Sequence, residues 1–146
     1  MKTTWFLVAF LSGAFLPIQA GLNAKMGKAL ENPVYGSAVS FVVGVIAIGL
    51  YIVATRQPVS WQGLKTVPVY AYTGGVLGAF YVTAIILAFP KIGPALTFGL
   101  VVAGQMVLSV LLDHFGILVN QAHPINIWRI AGILLIVSGV ILIRKF

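Results

Sequence analysis

Apolar residues fall into five long runs separated by short polar breaks, and no run alternates with a period of two. The first extends from Trp5 to Leu22, with an amphipathic continuation to Leu30 that Glu31-Asn32-Pro33 ends. The second covers 34–55 and stops at Arg56-Gln57-Pro58. The third covers 67–89, the fourth follows the Pro90-to-Pro94 break and covers 93–112, and the fifth covers 127–143. Each run is close to the ~20 residues a helix needs to cross hydrocarbon, and the lack of alternation argues against a membrane barrel. The pattern predicts an all-α polytopic membrane protein, one five-helix domain over residues 1–146. The third and fourth helices form a tight hairpin, and the longest polar loop covers 113–126.

Composition sharpens this picture. The chain is 60% hydrophobic and 8% charged, with a mean hydropathy of +1.08, whereas a soluble domain carries roughly 25% charge. A net charge of +7 would suggest nucleic acid in a soluble protein. Here the basic residues sit mostly at run ends, where they meet lipid phosphates. Membrane lipids are therefore the expected partners and nucleic acid is not. Trp61, in the polar stretch after the second run, suits headgroup depth. The absence of cysteine excludes disulfides, zinc-thiolate sites and iron–sulfur clusters. Lys2, an apolar run and Ile18-Gln19-Ala20 before Gly21 also resemble a cleavable signal peptide. The polar residues of that run, and the four runs after it, favour a retained span.

Those polar residues are the candidate chemistry. Pro17 lacks an amide proton and should kink the first helix. Gln19 and Asn23 are four apart and share one helical face with Ser12. An unpaired amide in hydrocarbon costs a few kcal/mol, so this face is expected to line a polar cavity or to pair helices. Gln105 lies mid-way along the fourth run, with Ser109 on its face and Thr97 and Gly104 on an adjacent one. Tyr81 lies mid-way along the third, and Ser37 and Ser40 lie in the second. Serine and threonine can bond back to their own helix, and Gln105 can join two helices. Three amides together exceed what one packing contact needs. Gln19, Asn23, Ser40, Tyr81 and Gln105 are accordingly the candidate solute-binding residues, with Pro17 and Gly21 as the hinge. Phe15, Phe41 and Phe98 are candidates for apolar walls. Gly36 and Gly44 around Ser40, the pair Gly74 and Gly78, and the pair Gly132 and Gly139 mark faces for close helix packing.

The remaining side chains exclude much. The two carboxylates, Glu31 and Asp113, both lie at run ends, so no span carries an acid at its middle for a proton relay. Asp113 beside His114 reads as a helix-end salt bridge or cap. His114 and His123 are nine apart, which matches no metal-ligand spacing. No nucleophile motif or phosphate loop is present. No enzyme activity, metal or cofactor is expected.

Five spans place the termini on opposite sides of the bilayer. Lys2, Arg56, Lys65 and Arg129 fall on the N-terminal side, and Lys25, Lys28, Lys91, Arg144 and Lys145 on the other. The positive-inside bias therefore nearly cancels. A chain that inserts both ways and pairs with an inverted copy of itself, as an antiparallel dual-topology homodimer, explains this balance and reproduces the inverted repeat of many transporters; the alternatives are a weak bias toward one face and a parallel pair.

Several stretches resemble one family. They are Pro17-Ile18-Gln19-Ala20-Gly21-Leu22-Asn23, Ser40-Phe41 with Gly44, Gly78-Ala79-Phe80-Tyr81-Val82, Ala95-Leu96-Thr97-Phe98 through Ala103-Gly104-Gln105, and Leu112-Asp113-His114-Phe115-Gly116. Together they are similar to the YdcZ-like family of bacterial inner-membrane proteins, within the drug/metabolite transporter superfamily. The resemblance implies an exporter, a five-helix unit equivalent to half of a ten-helix transporter, and kinship with small multidrug-resistance transporters, which work as antiparallel dimers. Those relatives carry a first-helix glutamate, and no position from Trp5 to Leu22 is acidic here. Proton-coupled efflux of cationic drugs is therefore not expected. A neutral cavity suits an uncharged or zwitterionic solute moved by alternating access, or a passive pathway. The alternative is a structural, regulatory or lipid-binding membrane protein whose amides only join helices.

Because the chain lacks cysteine, single cysteines added near each terminus test the orientation cleanly. An impermeant maleimide applied from outside should label a fraction of chains at both ends. Complete labelling of one end and none of the other would rule out dual insertion.

Overall fold

A computed structural model describes residues 2–119 and 121–146. Asn120, within the predicted polar loop, lies outside the described residues. The elements run α1 (Lys2–Ala29), α2 (Pro33–Thr55), the single turn α3 (Gly63–Thr66), a 3₁₀ turn (Val69–Tyr72), α4 (Thr73–Ile92), α5 (Pro94–Phe115) and α6 (Ile127–Lys145). Among the described residues five helical stretches are long and apolar enough to cross a membrane: Thr3–Ala29, Pro33–Thr55, Val69–Ile92, Pro94–Phe115 and Ile127–Lys145. The all-helical, polytopic architecture is the one the hydrophobic runs predict.

The first helix continues past Leu22, as the amphipathic stretch predicts, and runs through Pro17 to Ala29 as α1. Two boundaries differ from the sequence expectation. The third helix does not stop at Phe89; it passes Pro90 and ends at Ile92. A proline in the last turn removes only one backbone donor, and the break comes at Gly93, whose φ of +79° favours glycine. The fourth helix continues beyond Leu112 to Phe115, so Asp113 and His114 lie in its last turn rather than in the loop. Gly116, at φ +65°, forms its left-handed cap. Two asparagines start helices: Asn32 Oδ1 accepts from the Val34 amide at 3.0 Å, and Asn126 Oδ1 from the Arg129 amide at 3.0 Å.

The chain divides into two compact units, Met1–Lys91 and Ile92–Phe146. In the first, α1 and α2 approach backbone to backbone. A Cβ built on Gly36 would sit 2.9 Å from the Cα and N of Gly27 and 3.0 Å from the Asn23 carbonyl oxygen. One built on Gly27 would sit 2.9 Å from Pro33 Cα. Contact with α4 runs through side chains. Thr83 Oγ1 donates to Ser37 Oγ at 3.0 Å, and Ser37 Oγ donates back to the Pro33 carbonyl at 3.4 Å. Ala20, Ile85 and Ile86 form the small buried apolar centre of this unit.

In the second unit α5 packs on α6. Gly99 leaves room for Val140, whose Cγ2 would lie 3.0 Å from an added Cβ. At the opposite end of the hairpin, Arg129 Nη2 donates to Asp113 Oδ2 at 3.1 Å. Its Nη1 donates to the His123 carbonyl at 3.1 Å, and the His123 amide donates to the Asp113 carbonyl at 2.9 Å. His114 Nδ1 accepts from the Ile125 amide at 3.2 Å. The turn from α5 to α6 is thus tied at both of its helical ends. The other candidate packing glycines divide: a Cβ on Gly78 would lie 3.9 Å from the Phe41 ring, while one on Gly44, Gly74, Gly132 or Gly139 would meet nothing within 4 Å.

Gly36→Ala forces a methyl into the α1 backbone and should lower stability by about 1–3 kcal/mol, the usual cost of overpacking. Gly44→Ala, in open space, serves as the control and should change little. Thermal unfolding of the two purified variants in detergent measures the difference, and equal midpoints would contradict the backbone contact.

Candidate functional site

The polar face of α1 is a matter of helical spacing. Leu16, Gln19, Ala20 and Asn23 stand at i, i+3, i+4 and i+7, so they form one stripe. That stripe faces Tyr81, Val82, Ile85 and Ile86 of α4 across a cavity of about 10 Å³, roughly the space that one water needs. Asn23 is 6% exposed. Its side-chain amide makes no hydrogen bond among the described residues. The Tyr81 hydroxyl oxygen is likewise buried with no hydrogen-bond partner among them. Three uncharged hydrogen-bonding groups therefore gather on an otherwise apolar surface, and two of them have unused capacity.

Gln19 also reaches a second space. With Ser40, Phe41, Gly44, Val45 and Ile48 of α2 and Val82 of α4, it lines a recess of about 220 Å³. Gln19 and Val82 border both spaces. The missing Gly44 side chain contributes directly to the width of the recess. Neither space is lined by an ionisable acid or base other than the Tyr81 phenol. Four of the five candidate solute-binding residues, Gln19, Asn23, Ser40 and Tyr81, thus come together in the first unit. Gln105 stands exposed on α5 in the second unit and borders neither space.

The hinge candidates have distinct settings. Pro17 leaves α1 continuous but cannot donate to the Gly13 carbonyl. A Cβ on Gly21 would lie 3.6 Å from the Phe89 ring, an ordinary contact, so the position has room for a methyl. Ser12 Oγ bonds back to the Val8 carbonyl at 2.8 Å and Thr97 Oγ1 to the Gly93 carbonyl at 2.7 Å, the local pairing open to such residues in any helix. Phe41 walls the recess, whereas Phe15 is exposed. Among the described residues no cluster of three His, Asp or Glu is placed to hold a metal ion.

Sequence reasoning missed Thr83, which ties α4 to α2, and Gly27, which lets α1 meet α2. Gly27 was findable, since it lies four residues after Asn23 on the same face.

A family model described as "Putative inner membrane exporter, YdcZ" matches residues 4–142. The chain belongs to the YdcZ family. It is accordingly a multi-pass inner-membrane protein. Comparison with curated proteins and with solved structures gives no match. The family match spans both units, so the cavity lining and the α5–α6 hairpin alike lie within the family's extent.

A buried hydroxyl without a partner costs about 1–3 kcal/mol. Tyr81→Phe should therefore unfold at the parent's temperature or above it. A clear drop in the thermal midpoint would show that the hydroxyl is satisfied and structural.

Proposed function

We propose that this protein exports a small uncharged or zwitterionic solute across the inner membrane, by alternating access within an antiparallel pair of copies. The observation that carries the reading is the joint placement of Gln19, Asn23 and Tyr81 around one cavity, with Gln19 shared by the wider recess that Ser40 borders. Partly unsatisfied neutral groups can exchange hydrogen bonds with a solute without the cost of neutralising a buried charge.

The size of the recess supports the second copy. At about 220 Å³ it falls below the ~300–1,000 Å³ of ordinary small-molecule sites, and Val45 and Ile48 on its rim are 69% and 63% exposed. A partner that covers this rim would complete the enclosure. The balanced Lys and Arg counts on the two sides support an inverted partner. In this reading Pro17 and Gly21 allow α1 to bend, and Gln105 is a separate candidate contact on α5. The family description supports export; the absence of a carboxylate from the lining argues against a proton relay through these spaces.

The competing reading, in which the amides only join helices, draws on the burial of Asn23, which is 6% exposed. The double variant Gln19→Leu, Asn23→Leu separates the two. A thermal-shift screen of the parent against uncharged and zwitterionic metabolites identifies the ligand by the stabilisation it confers. The double variant should then keep its assembly and unfolding midpoint while its ligand-induced shift falls at least tenfold in apparent affinity. Loss of the assembly in the variant, with no parent ligand in the screen, would instead favour helix joining.

A further inference from the structure

The α5–α6 hairpin contains a space that the transport reading does not use. Met106, Ser109, Val110 and Asp113 of α5 and Arg129, Gly132, Ile133 and Ile136 of α6 enclose a recess of about 260 Å³. Its two walls run from a charged end to an apolar one. Asp113 to Met106 and Arg129 to Ile136 each span seven residue steps, about 10 Å of helix. Both charged residues lie in the terminal turns of their helices, and Trp128 beside them is 81% exposed. Tryptophan and arginine at a span end mark headgroup depth, so the apolar end of the recess lies within the hydrocarbon. Gly132, where an added Cβ would meet nothing within 4 Å, keeps the groove open between the two levels.

We infer that this groove binds one membrane phospholipid with a primary ammonium head, of the phosphatidylethanolamine type. The charged end presents one charge of each sign. The Arg129 and Asp113 side chains are 28% and 33% exposed, so the pair remains accessible. Arg129 uses one N–H on Asp113 and one on the His123 carbonyl. Its remaining guanidinium donors suit a phosphate. Asp113 engages Arg129 through Oδ2, and Oδ1 accepts no hydrogen bond among the described residues. A primary ammonium can donate to that oxygen, whereas a choline head has no N–H to offer. An anionic head would place its charge beside the Asp113 carboxylate with no cation of its own to offset the repulsion. The zwitterion matches both charges, and the groove below takes part of an acyl chain. The inference stands apart from the proposed export, since no residue of the first unit enters it.

Native mass spectrometry of the full chain, titrated with ethanolamine, choline and glycerol phospholipids of identical acyl chains, tests it. The parent should retain one ethanolamine lipid per chain at least about fivefold more tightly than the choline lipid. Asp113→Asn should bring that ratio close to one, and Arg129→Gln should weaken all three lipids. Ile133→Trp fills the groove without touching the ion pair and should reduce ethanolamine-lipid retention by a similar factor, which keeps the test decisive if a charge variant fails to fold. Equal retention of the three lipids by the parent, preference for the glycerol lipid, selectivity unchanged in Asp113→Asn, or ethanolamine-lipid retention unchanged in Ile133→Trp would overturn the inference. Lipid found on monomers and absent from dimers would overturn it too, because the groove would then be covered by a second copy.

Discussion

The first unit depends on two helix backbones in direct contact at Gly27 and Gly36. With lipid outside, helices gain little from hydrophobic burial, and dispersion between closely approaching backbones becomes a main source of cohesion. A side chain at either position would push α1 away from α2. That displacement would also move the Leu16–Asn23 stripe, because Asn23 lies one turn from Gly27 and its carbonyl lies against Gly36. The placement of the polar groups is therefore a consequence of two missing Cβ atoms.

The contact with α4 is different in kind. It rests on a hydroxyl pair, Thr83 with Ser37, on the Phe89 ring over Gly21 and on a few aliphatic side chains. Interhelical hydrogen bonds in membranes contribute about 0.6–2 kcal/mol each, less than an extended backbone seam. One side of the cavity is therefore firmly placed and the other is held by contacts that can be exchanged. A solute pathway needs such a difference, since a space enclosed on every side by tight seams could not change its shape.

Much of this was legible in the sequence. Hydrophobic run length gave five spans, and the four-residue spacing of Gln19 and Asn23 gave one polar face, because both follow from the pitch of a single helix. Asp113 as a helix-end ion-pairing residue was also readable, since an acid at a run end has few other roles. The limits were of two kinds. Pro90 looked like a stop, yet a proline in a last turn costs too little to end a helix when Gly93 follows. The partners of the polar face were not readable at all: that Tyr81 and Asn23 border one cavity, or that Gln105 belongs to the other unit, depends on the rotation of each helix about its axis, and nearly uniform apolar spans leave that rotation unmarked.

The two prolines give the walls of the cavity unequal mechanics. Pro17 in α1 and Pro90 in α4 each delete one rung from a helical ladder, whereas the proline of α2 is its first residue and deletes none. α1 and α4 thus each have a point of lower bending stiffness, which the uninterrupted ladder of α2 lacks. Pro90 has a chemical effect as well: it leaves the carbonyl of Ile86, one of the cavity-lining residues, without its normal donor.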